Sequence, residues 1–117
     1  MDKIIPNYCM VSEPLEVLVG KWKPIILLNL LANSPMRFTE IKQAIPEITQ
    51  KMLTKQLREL ESHDIISRTV YPEVPPRVEY AITAHGQTLQ PILDRMHQWG
   101  LAHIAHMEEK ELKSDLE

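Results

Sequence analysis

Apolar residues crowd the stretch Ile25, Ile26, Leu27, Leu28, Leu30 and Leu31 on most helical faces, which predicts a helix set deep in a core. It starts near Trp22, with Pro24 in the first turn, where a missing N–H costs little. Asn33, Ser34 and Pro35 end it. Ahead of it Pro14 to Val19 predicts a short helix, broken at Gly20. Met36 to Phe38 reads as a short strand. Thr39, Glu40 and Lys42 then open a brief helix with Ile41 and Ile45 inward, closed by Pro46 and Glu47. Thr49 is a good N-cap for the next helix, which runs to about His63. Two short helices joined by so few residues predict a helix-turn-helix.

Ile66 to Tyr71 and Arg77 to Ile82 are rich in β-branched and aromatic residues and predict strands, with Val78, Tyr80 and Ile82 facing one way. Pro72-Glu73-Val74-Pro75-Pro76 between them suits a hairpin tip and cannot be a central strand. Thr83 is expected to cap a final helix, on which Leu89, Ile92, Leu93, Met96, Trp99, His103 and Met107 form one stripe. Two strands after a helix-turn-helix make a wing. The expected fold is therefore mainly α with a small β wing, a winged helix-turn-helix in a single domain over residues 1–117. A small domain can cover only part of so long an apolar stripe, so a second copy is expected to bury the rest in a homodimer.

On a helical wheel at about 100° per residue, Leu53, Leu57 and Leu60 fall on one side of the helix after Thr49. Lys51, Thr54, Lys55, Arg58 and Ser62 fall on the other, with Glu59 and Glu61 on the flanks. The leucines would fix such a helix to a core while the long cations reach phosphates and base edges. Gln50 can pair in bidentate fashion with adenine, and Thr54 can touch a thymine methyl. An ordinary amphipathic surface helix with solvated lysines shows the same pattern; the order of elements around it favours DNA. Arg68 and Arg77, one on each strand near the tip, suit phosphate or a narrow minor groove. Pairing with Glu79 or Glu73 is the alternative.

Charge qualifies this picture. The net charge is −3, and residues 108–117 hold five acids and two bases, so residues 1–107 sum to zero. The longest apolar run, Ile25 to Leu31, is too short to span a bilayer, and no basic-then-apolar signal opens the chain; the expected location is the cytoplasm, with no membrane partner. The single cysteine, Cys9, excludes an internal disulfide framework and a multi-cysteine zinc site. His103 and His106 lack a third ligand at a compelling spacing, so no metal or other cofactor is expected. The chain shows no glycine-rich phosphate loop, nucleophile elbow or His-Glu metalloprotease motif, and an enzyme is not expected.

Gly20-Lys21-Trp22-Lys23, Arg37-Phe38, Ile48-Thr49-Gln50-Lys51-Met52-Leu53-Thr54, Leu57-Arg58-Glu59-Leu60-Glu61 and the string Val70 to Tyr80, with Thr83, Gly86, Pro91 and Trp99, resemble the HxlR-type family of bacterial winged-helix regulators, distant relatives of the MarR family. The resemblance covers about residues 9–100 and leaves 108–117 as an acidic tail. It implies a sequence-specific transcriptional regulator, repressor or activator, that binds double-stranded DNA. The dimer would form through the N-terminal and C-terminal helices and sit on a near-palindromic operator. Thr49, Gln50, Lys51, Thr54, Lys55 and Arg58 would then make major-groove and phosphate contacts, and Arg37, Arg68 and Arg77 flanking or wing contacts. Cys9 stands where many members carry a cysteine that in several relatives senses oxidants or electrophiles; packing at the dimer interface is the alternative. The residues name no small-molecule effector. The near-zero charge of residues 1–107 leaves room for a different class, a winged-helix protein-interaction module without DNA binding.

Overall fold

The computed structural model describes residues 14, 18 and 20–116; Cys9 and most of the expected helix Pro14–Val19 lie outside them. By its internal contacts the chain forms two compact units, residues 1–87 and 88–117.

In the first unit, helix α1 (Trp22–Asn33) carries Pro24 in its first turn. Its buried residues are Lys23, Ile26, Leu27 and Leu30, the i, i+3, i+4, i+7 spacing of one helical face. The expectation of burial on most sides therefore needs correction. Leu28 falls off that face and is 42% exposed, while a lysine occupies a core position.

Strand β1 (Met36–Arg37) leads directly into helix α2 (Phe38–Ala44). This helix starts one residue ahead of the expected Thr39, because the Arg37 N–H donates to Glu40 Oε1 at 2.8 Å and closes the first turn from Phe38. After a turn containing the buried Ile48, Thr49 caps helix α3 (Gln50–Ser62), its hydroxyl accepting from the Met52 N–H at 3.1 Å. Leu53, Leu57 and Leu60 on α3 meet Ile26, Leu27, Leu30 and Ile41 among the fully buried side chains of the core.

Strands β2 (Ile66–Tyr71) and β3 (Arg77–Ile82) have the expected bounds and pair antiparallel from Ile66↔Ile82 to Tyr71↔Arg77. β1 joins the other edge of β3, with Met36 opposite Tyr80 and Arg37 opposite Glu79, giving the order β1-β3-β2. On β3 only Tyr80 is buried; Val78 and Ile82 are half-covered. The hairpin runs out beyond the core, so Val78 sits toward the tip beside Val70, itself 49% exposed.

Thr83 is a cap, but not of the long final helix. It caps a single turn, α4 (Ala84–Gln87), accepting from the Gly86 N–H at 2.8 Å while its hydroxyl faces the carbonyls of Asp64 and Ile65 at 2.7 and 3.0 Å. A Cβ on Gly86 would collide with the Ile65 carbonyl oxygen, so only glycine permits this approach. The long helix α5 (Gln90–Leu116) begins afterwards, in the second unit. Pro91 explains the division. Its ring would clash with the carbonyl of Gln87 in a continuous helix, yet it is well placed in a first turn.

On α5 Leu93 is buried, whereas Ile92, Met96, Trp99, Leu101, Ile104 and Met107 stand open. Trp99 and His103 stack one turn apart, ring centroids 4.7 Å apart and 10° from parallel. Among the described residues no helix is long and apolar enough to cross a membrane.

Candidate nucleic-acid interface

Helix α3 is two-sided. Its leucines are buried, while Gln50, Lys51, Lys55 and Arg58 are exposed on the other face. Thr54, half-buried between them, donates its hydroxyl proton to the Gln50 carbonyl at 2.9 Å. What it offers a ligand is thus a methyl group and an acceptor oxygen. Lys51, Lys55 and Arg58 form no ion pair among the described residues. Their charge stays available to an outside anion.

Two open recesses flank this face. One is lined by Gln50, Lys51, Thr54, Lys55, Arg58 and Glu59. The other, about 450 Å³, is lined by Phe38, Gln50, Thr54, Arg58, Glu61, Arg68 and Tyr80. Arg68 was expected near the wing tip, but its backbone partner is Tyr80, halfway along the hairpin, and its side chain lines the groove beside α3. The structure thus brings Arg68 to the exposed face of α3 rather than to the tip. Arg37 is exposed on β1, opposite Glu79.

Arg77 is at the tip, paired in register with Tyr71. Its guanidinium lies over the Tyr71 ring at 4.0 Å and faces Glu73 at 3.2 Å and Glu79 at 3.7 Å. The expected pairing of Arg77 with Glu73 and Glu79 is present, the first acid in the tip and the second on its own strand, while the Tyr71 contact crosses the hairpin. Two carboxylates offset its charge.

One pair escaped the sequence reading. Lys23 is buried on α1, and its Nζ lies 2.8 Å from Oε2 of Glu59 on α3. The hydrogen bond from Lys23 holds the Glu59 carboxyl below its ordinary range; burial opposes this, and attraction to Lys23, Lys55 and His63 adds to it. The signal was present as a lysine at the first position of a stripe continued by Leu27 and Leu30.

The model of the HxlR-like helix-turn-helix family matches residues 17–108. The chain belongs to the HxlR-like helix-turn-helix family. Its HxlR-like sequence is 49% identical over 100 residues to an uncharacterized HTH-type transcriptional regulator of Methanothermobacter thermautotrophicus, covering 86% of this chain and 76% of the relative. The solved structure of the HTH-type transcriptional regulator YtcD, a Bacillus subtilis protein, superposes with a TM-score of 0.76 at 49% identity, over 82% of this chain and 97% of the other. The redox regulator HypR in its reduced form gives a TM-score of 0.79 at 44% identity, over 85% of this chain and 97% of the other. This HxlR-like protein is accordingly a winged-helix transcriptional regulator.

Proposed function

We propose that this regulator acts in the cytoplasm by binding double-stranded DNA as a homodimer, with α3 of each copy in the major groove of a near-palindromic operator. One observation carries the reading: Lys51, Lys55 and Arg58 stand exposed, with no ion pair among the described residues, beside Gln50 and Thr54, on a helix whose other face is locked by three buried leucines. Thr49, Gln50 and Thr54 face bases or nearby phosphates, Lys51, Lys55 and Arg58 supply charge, and Arg37, Arg68 and Arg77 flank them. The exposed apolar side chains of α5 support the second copy.

Titrating a labelled duplex from the gene's own upstream region tests this. Binding whose logarithm falls linearly with the logarithm of salt concentration is expected, as counterions are released. No binding, or binding indifferent to salt, would point instead to a protein-interaction module.

Regulation through Cys9 fits the similarity to the redox regulator HypR. With Cys9 the only cysteine, an oxidant would act through a mixed disulfide with a small thiol or a disulfide between subunits, and an electrophile such as a quinone through alkylation. A Cys9→Ser protein that still answers diamide and quinones in a reporter strain would sink the sensor role.

A further inference from the structure

Glu59 poses an electrostatic problem for the proposed interface. It lines the same open recess as Lys51, Lys55 and Arg58, and its side chain is 41% exposed. A bare carboxylate there would repel the phosphates that its neighbours attract. The structure supplies a remedy from behind. Lys23 reaches through the core from α1, its side chain only 6% exposed, and contacts Glu59 at 2.8 Å.

We infer that Lys23 is a positioning residue for DNA binding: it draws in the Glu59 carboxylate and offsets its charge, so that the recess Glu59 shares with Lys51, Lys55 and Arg58 presents no uncompensated acid. Lys23 is too buried to touch DNA itself, so it acts through Glu59. Lys55, one turn before Glu59, also attracts that acid, but less than Lys23 does, and so keeps most of its charge for phosphate. The inference rests on the reading of α3 as the DNA-contacting helix.

A merely structural ion pair would stiffen the junction of α1 and α3 without regard to the sign of the charge left outside. Three variants separate the two cases: Lys23→Met, Glu59→Gln, and both together. Lys23→Met leaves an acid that is partly solvated rather than a stranded buried charge, and so is the milder way to break the pair. Each variant is titrated with the labelled upstream duplex over a range of salt, with its melting temperature recorded.

Lys23→Met should bind roughly tenfold more weakly at low salt, with the deficit shrinking as salt screens the exposed acid. Adding Glu59→Gln to it should restore affinity to within about twofold of the parent, although the ion pair stays broken. Unchanged affinity in Lys23→Met, or a double variant no tighter than Lys23→Met, overturns the inference. Should Lys23→Met not fold, Glu59→Gln decides alone: the amide still accepts from Lys23, and affinity equal to or above the parent is expected. A folded Glu59→Gln protein that loses affinity refutes it. If the parent itself does not bind the duplex, the reading of α3 fails rather than the role of Lys23.

Discussion

The guanidinium of Arg77 sits over the ring of Tyr71, its backbone partner across the wing, and the two close the hairpin where Pro72 begins the tip. With Glu73 and Glu79 also within reach, Arg77 is occupied in holding the wing together. Arg68, exposed and without an ion pair among the described residues, is not.

The two arginines should therefore part company on mutation. Arg68→Ala is expected to weaken DNA binding about tenfold and to flatten its salt dependence by roughly one unit of slope. Arg77→Ala should cost affinity less than about threefold while lowering wing stability by up to about 1 kcal/mol. Fluorescence titration and urea melts on both variants check this; the reverse ranking would return the phosphate contact to the tip.

On α3 the two faces should separate binding from folding. Lys55→Ala and Arg58→Ala are expected to weaken DNA binding while shifting unfolding free energy by less than about 0.5 kcal/mol and leaving the oligomeric state unchanged. Leu57→Ala, in the core, should cost about 2–5 kcal/mol. Light scattering and denaturant titrations beside the binding assay distinguish these outcomes.

The junction of Thr83, Gly86 and Ile65 offers a stability test remote from charge. Gly86→Ala must push against the Ile65 carbonyl and is expected to destabilise by about 1–3 kcal/mol. Thr83→Val, which keeps the volume but removes the hydroxyl bonded to the Gly86 amide and the carbonyls of residues 64 and 65, should cost about 1–2 kcal/mol. Chemical denaturation of both variants measures these losses; parent-like stability would show that the junction bears no load.

Acid should reveal the Lys23–Glu59 pair. Because Glu59 is held below its ordinary value of 4.5 in the folded chain, its contribution is fully present above that value and fades as pH falls through the lower folded one. The melting temperature of the parent should thus exceed that of Glu59→Gln at neutral pH, and the gap should close on acidification. A gap that widens in acid would assign the wrong sign to the pair.

Much of this was legible because it is written in short-range signals. The Thr49 cap, the leucine spacing of α3 and the proline-rich tip between β2 and β3 each sit within a few residues of the structure they specify. The split between α4 and α5 was also written locally, in Pro91, but the apolar stripe running past it spoke for one helix. Lys23 and Glu59 were a different matter. Their meeting depends on how α1 crosses α3, and no local pattern reports that a lysine in an apolar stripe will find an acid far along the chain. Arg68 was misplaced for a related reason: which part of a hairpin lies beside a helix is a matter of packing.

The outward side chains of α3 make few contacts that the fold needs. Gln50, Lys51, Lys55 and Arg58 can therefore change one at a time with little penalty in stability, since substitutions at such positions are usually near-neutral for folding. Duplicated copies of such a gene would be free to drift toward new operators by small steps, each passing through a folded protein. Robustness in the leucine face is what makes the opposite face evolvable.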